Sequence, residues 1–372
     1  MGERSGRGRA GRVRAAAGVA VVACAVAGLA PGAAVAGPAG GSGARSGALT
    51  TGVERLSLAA DGTQGNGPSG AASIAADGLR VVFASSAGNL TSDPAAGGEA
   101  VFVRDVPTGL NRRMGSLGPV GPPAISGNGQ YVAYAHPWVN NTRVRMYRVS
   151  SGATISADCS AFSCNQPSMS TDGRYTALAV LKYGASSQVI EVQDGQTGAR
   201  TAVATLPHTQ ASRPSLSGDG RYTAYQNAQS QDVFVWDRTT GVTTGPLEGA
   251  GTAASLVQIG DDGTKVVYLV GSDTRVHDLA TGTAQTVPGV RGLAIDPTGR
   301  HLLYAPVGGT GPALVLRDLL TGTERTVSDG PATAGTDSVG TDGREVVFQS
   351  AAADLVPDDT NGVADVFLRR FS

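Results

Sequence analysis

Pro214-Ser-Leu-Ser-Gly-Asp219-Gly220-Arg-Tyr-Thr-Ala-Tyr225, followed by Asp232-Val-Phe-Val-Trp236-Asp237-Arg-Thr-Thr240-Gly241, is one copy of a phrase that recurs seven times. Two turns punctuate it. The first is Asp77-Gly78, Asn128-Gly129, Asp172-Gly173, Asp219-Gly220, Asp262-Gly263, Thr298-Gly299 and Asp342-Gly343. The second is Thr108-Gly109, Ser151-Gly152, Thr197-Gly198, Thr240-Gly241, Thr281-Gly282 and Thr321-Gly322. Asp-Gly and Asn-Gly favour tight hairpins, because a primed turn needs positive φ. Successive first turns lie 36 to 51 residues apart. A period in the low forties with four short strands per unit is the mark of a propeller blade.

The columns around the first turn support that architecture. Three residues before it stand Ile74, Ile125, Met169, Leu216, Ile259, Ile295 and Val339. Six residues after its Asp stand Phe83, Tyr134, Leu178, Tyr225, Tyr268, Tyr304 and Phe348, each preceded by Val, Ala or Leu. Strand side chains alternate between faces, so this second strand is apolar on both. A sheet held between two other sheets requires that pattern. The third strand ends in Asp105, Asp194, Asp237, Asp278 and Asp318, each four residues before the second-turn Gly, with Arg148 as the exception. A carboxylate at that offset can accept turn amide hydrogens.

The phrase resembles the WD40-like repeat of the TolB-type propeller family, common in secreted bacterial proteins. The resemblance covers roughly residues 50–372. It implies an all-β fold and says little about function, since propellers serve unrelated tasks. No boundary in the sequence marks off the separate α/β domain that TolB carries before its propeller, so that domain is not expected here. The seventh copy ends at Asp365-Val-Phe-Leu-Arg-Arg-Phe-Ser372 with no second turn and no fourth strand, and Thr51-Gly52-Val-Glu-Arg-Leu-Ser-Leu58 supplies the missing piece. The expected fold is therefore a seven-bladed β-propeller, closed by an N-terminal strand that completes the last blade and hides two sheet edges.

Residues 1–36 read as a signal peptide: five arginines, an apolar run from Ala15 to Ala30 and a small-residue cleavage site at Ala34-Val35-Ala36. Val21-Val-Ala-Cys24 offers the alternative of a lipid anchor on Cys24. Pro31 interrupts the run, so the mature chain is expected to have no transmembrane segment. Residues 37–49 form a Gly/Ala/Ser-rich linker. Removing the leader takes five of the 29 basic residues and one of the 30 acidic ones, leaving a net charge of about −5. That argues against a nucleic-acid partner, which needs a concentrated basic surface. The protein is expected to be secreted and monomeric.

Candidates for chemistry are few. Cys159 and Cys164, the only cysteines after the leader, are expected to form a local disulfide. Asp358-Asp359-Thr-Asn361-Gly362-Val-Ala-Asp365 offers the oxygens that Ca²⁺ takes, and reads equally as an Asp/Asn-rich hairpin. No other cofactor is expected. His136, His208, His277 and His301 lie outside metal-ligand spacing of one another. Ser73, Ser168, Ser215 and Ser338 precede the first turn with no base in view. His136-Pro137-Trp138-Val-Asn-Asn141 places an aromatic and amides in a connection, which suits ligand recognition or a packed loop anchor. The expected function is a non-catalytic binding or scaffolding module for proteins or envelope polymers. The alternative is a propeller hydrolase or lyase acting on sugars or lactones.

Overall fold

Seven antiparallel sheets follow one another along the chain, six of four strands and one of three. The computed structural model describes residues 52–93, 97–115, 117–155, 161–203, 210–308 and 311–372. The leader and linker expected over residues 1–49, with Cys24, Cys159 and His208, lie outside the described residues. Blade 4 is typical, with strands Ala211–Leu216, Tyr222–Asn227, Asp232–Asp237 and Thr243–Thr244. In blade 7 the strand Gly52–Arg55 pairs with Asp365–Arg370, which pairs with Glu345–Ser350. The innermost strand of that blade shrinks to a bridge between Val339 and Val346. The ring thus closes on the N-terminal strand, as the repeat count requires.

Both faces of each second strand are buried. Phe83, Tyr134, Tyr268 and Phe348 are at most 1 % exposed, and their neighbours Val82, Ala133, Val267 and Val347 are fully buried. The apolar side chains sort into seven clusters, one at each junction between adjacent blades. Each large side chain so buried stabilises the ring by roughly 1.5–3 kcal/mol.

The turns do more than reverse the chain. In the first turn the Gly has positive φ, whereas the preceding Asp or Asn does so only at Asp342. Asp219 acts through its side chain, accepting hydrogen bonds from Ser217 Oγ at 2.6 Å and Arg221 N at 2.8 Å. The glycine also has a lateral role. A Cβ on Gly173 would lie 2.3 Å from the Tyr131 ring, and one on Gly220 2.3 Å from Tyr175. The same contact joins Arg80 to Gly129, Tyr222 to Gly263, Lys265 to Gly299, His301 to Gly343 and, across the closure, Glu345 to Gly78. Each blade therefore seats one side chain on the next blade's turn glycine. In the second turn the third-strand Asp accepts amide hydrogens as expected, for example from Thr239 N to Asp237 at 2.8 Å. It also receives a two-point bond from the arginine after the first turn, Arg174 to Asp194 and Arg221 to Asp237.

Antiparallel connectivity puts both turns of blades 1 to 6, and the first turn of blade 7, on one face of the ring. The connections between second and third strands, and between blades, lie on the opposite face, here termed the loop face.

Candidate functional site

The Trp138–Asn141 hairpin rises on the loop face of blade 2, where Trp138 pairs with Asn141 across Val139 and Asn140. Val139 is 89 % exposed and holds a φ of 51°, which a β-branched residue adopts only at a cost of about 1–2 kcal/mol. Trp138 is 45 % exposed and meets His136 edge-on, with centroids 6.3 Å apart. His136 itself is fully buried. Its Nδ1 lies 3.0 Å from Pro137 O and so carries the proton in the neutral ring. Burial pushes its pKa down, and Arg145 and Arg143 add to that, whereas the Pro137 contact opposes it. His136 is thus a neutral anchor beneath Trp138, while Trp138 presents its ring to solvent.

Blade 3 adds a second aromatic pair to the same face. Phe162, entering the innermost strand, and Tyr183, in the hairpin after Leu181, meet edge-to-face at 5.6 Å and 82°. Tyr183 is 69 % exposed and Phe162 37 %. Arg143, opposite His136 in the blade 2 ladder, donates to Ala161 O and to Tyr183 Oη, tying the two blades together there. Phe162, Tyr183 and Val139 were missed in the sequence. The available signal was aromatics in connections of neighbouring blades that topology puts on one face.

The Asp358–Asp365 stretch lies at the closure. Arg55, 7 % exposed, approaches Asp359 at 2.9 Å and Asp365 at 3.5 Å. Asp365 also accepts from Ser57 Oγ at 2.5 Å and Asn361 Nδ2 at 2.9 Å. Gln64 accepts from Thr360 N and Asn361 N, and its amide donates to Asp358 O. Two of the four candidate residues, Asp359 and Asp365, thus face a guanidinium that binds the N-terminal strand to the C-terminal one, Asn361 supports Asp365, and Asp358 is exposed and engages only through its backbone carbonyl. No group of three or more His, Cys, Asp or Glu among the described residues converges as metal ligands do. Cys164 is disulfide-bonded and buried.

The third place of note is the axis. The innermost strands of all seven blades surround a channel, and in its turn-face half lies a cavity of about 20 Å³. Ser168, Ser215 and Gln258 line the axis with a structural task. They accept the backbone N–H of Leu216, Ile259 and Ile295 on the next blade at 3.0, 3.0 and 3.3 Å. Backbone bonds between turns run blade to blade as well, from Thr341 N to Ala76 O, Ala76 N to Gly127 O, Thr171 N to Gly218 O and Gly218 N to Asp261 O. Two carboxylates border the cavity, Asp261 from blade 5 and Asp337 from blade 7. Burial, then the nearby Asp337, pushes Asp261 up to about 7, and burial pushes Asp337 up to about 6.

No protein-family model matches the chain, and no curated protein does. Solved structures do. An oligogalacturonate lyase in complex with manganese superposes with a TM-score of 0.62 at 12 % identity, over 86 % of this chain and 93 % of that one. The oligogalacturonate lyase of Vibrio parahaemolyticus gives 0.61 at 12 % identity with the same coverage. TolB from Acinetobacter baumannii matches at 16 % identity and a TM-score of 0.44, over 59 % of this chain and 57 % of its own length. At these identities the likeness is one of fold. Among the described residues no helix is long and apolar enough to cross a membrane.

Proposed function

We propose that the protein is a non-catalytic extracytoplasmic binding or scaffolding module that holds a protein or an envelope polymer on the loop face of blades 2 and 3. The observation that carries this is the group of exposed apolar side chains there: Trp138, Val139, Phe162 and Tyr183. Exposed Trp and Tyr anchored on a rigid scaffold are the residue types that dominate binding energy when a partner covers them. The disulfide at Cys164, expected to pair with Cys159, would brace the segment that presents Phe162 and suits an oxidising compartment. The test is in-cell crosslinking with recovery of the tagged chain, comparing wild type with Trp138→Ala/Tyr183→Ala. Loss of two such anchors should weaken a partner by roughly 30-fold or more. Equal recovery from both chains would remove this face from the reading.

The alternative, a lyase or hydrolase acting on sugars or lactones, draws on the fold shared with the two oligogalacturonate lyases. It predicts release of unsaturated products from acidic oligosaccharides, followed by ultraviolet absorbance.

A further inference from the structure

The seven first turns place one residue each around the channel mouth on the turn face: Ala76, Gly127, Thr171, Gly218, Asp261, Pro297 and Thr341. Six of the seven carry no charge. Only blade 5 sends in a carboxylate, and only blade 7 adds a second, Asp337, just before the innermost-strand serine Ser338. The two border one cavity that has room for about one water.

Their partners are neutral. Asp261 Oδ2 accepts from Thr171 Oγ1 at 3.2 Å, a bond between blades 5 and 3 that passes over glycines. A Cβ on Gly218 would sit 2.4 Å from that hydroxyl, and one on Gly127 3.1 Å from Asp261 Oδ2. Asp337 Oδ1 accepts from Gln258 Nε2 at 2.7 Å, while Gln258 Oε1 takes the N–H groups of Ile295 and Asp337. One glutamine thereby joins blades 5, 6 and 7. Neither carboxylate has an ion pair among the described residues. The charged groups acting on Asp261 are Asp337, Asp262 and Asp296, all acidic. Asp296 is already held by His301 Nδ1 at 3.2 Å, and Asp262 by Thr264. Blades 1, 2, 4 and 6 bring only apolar side chains and glycine to the lining, and blade 3 brings Ser168 and Met169.

We infer that the channel is a proton-holding site: the enclosed, cation-free pair Asp261 and Asp337 retains a proton in the folded ring and tightens the ring only while that proton stays. Two enclosed carboxylates without a cation cannot both ionise cheaply. Raising the pH releases the retained protons to bulk water and leaves two like charges bordering one cavity, from blades 5 and 7. Those are the blades that Gln258 clamps, so the clamp weakens as the repulsion grows. In the unfolded chain both groups ionise near the ordinary value of about 4. Stability is therefore highest below that pH and declines as pH rises towards 7 and just beyond.

The test is thermal unfolding of the full chain between pH 5 and pH 8.5, for wild type, Asp261→Asn and Asp337→Asn. Both variants keep an acceptor for Thr171 or Gln258. The wild-type melting temperature should fall by roughly 5 °C more than that of Asp261→Asn across this range. Difference infrared spectra of the wild type alone should show a carboxylic-acid C=O band that persists at neutral pH, which keeps the test informative if a variant does not fold. Parallel melting profiles for all three chains, or no such band, would overturn the inference. So would recovery of the wild-type melting temperature at pH 8.5 on adding Ca²⁺ or Mg²⁺, which would make the pair a cation site.

Discussion

Replacing Arg55 by Met should open the ring at its closure. Arg55 is 7 % exposed, and its partner Asp365 is fully buried. The guanidinium lies 2.9 Å from Asp359 and 3.5 Å from Asp365, close but poorly aligned for hydrogen bonds, with its carbon 5.9 Å from the centroid of Phe367. Methionine keeps the apolar stem against Phe367 and removes the charge. Breaking a buried pair by deleting one partner costs about 3–5 kcal/mol. The low end applies here, because Asp365 keeps its bonds from Ser57 and Asn361. For a domain of this size a loss of about 3 kcal/mol lowers the melting temperature by roughly 4–5 °C. A closed ring of this length can unfold irreversibly, so the cleaner assay is the unfolding rate, followed by Trp fluorescence or by proteolysis of the opened chain. If the closure is undone before the rest, the rate rises by up to about 100-fold. The triple variant Arg55→Met/Asp359→Asn/Asp365→Asn leaves neither buried carboxylate without its cation and should recover most of the loss. A single variant within about 1 kcal/mol of wild type would refute the idea that this ion pair holds the ring shut.

Three further outcomes follow from the same contacts. Gly220→Ala, with φ of 68° and a Cβ forced against Tyr175, should cost roughly 2–4 kcal/mol, whereas Gly241→Ala, with φ of 72° and open space, should cost only about 1–2 in equilibrium denaturation. In acid, Arg221 and Lys265 hold Asp237 and Asp278 down to about 2, so the stability these pairs give is present above pH 4 and lost as pH falls through 2. With the channel pair eroding stability from the other side, a melting-temperature scan should peak on the acidic side, near pH 4 to 5. Because Arg55 already neutralises Asp359 and Asp365, EDTA should leave the melting temperature unchanged, and a drop of several degrees would mark Asp358–Asp365 as a Ca²⁺ site.

Most of the fold was legible because a repeat exposes what each blade does for itself. The apolar columns, the third-strand Asp and the N-terminal strand in blade 7 could all be read from alignment of the copies. Contacts between blades were harder. Arg80, Tyr131, Tyr175, Tyr222, Lys265, His301 and Glu345 look like a variable column, yet each rests on the next blade's turn glycine. The contact demands a place and a length of side chain, not a chemistry, so composition hides it. Asp261 and Asp337 stand 76 positions apart and meet only because the ring closes around the axis. Trp138 was visible as an oddity in a connection. Phe162 and Tyr183 gained meaning only once antiparallel topology put them on the same face.

The most direct measurement is site-specific photo-crosslinking in the producing cell, with the photoreactive residue at Val139 on the loop face or at Leu320 on the turn face. Both positions are open, at 89 % and 79 % exposure, so accessibility does not separate them. A reproducible adduct from position 139, absent from position 320 and lost on Trp138→Ala, is what the binding reading predicts. Adducts of equal yield from both faces, or none from position 139, would contradict it.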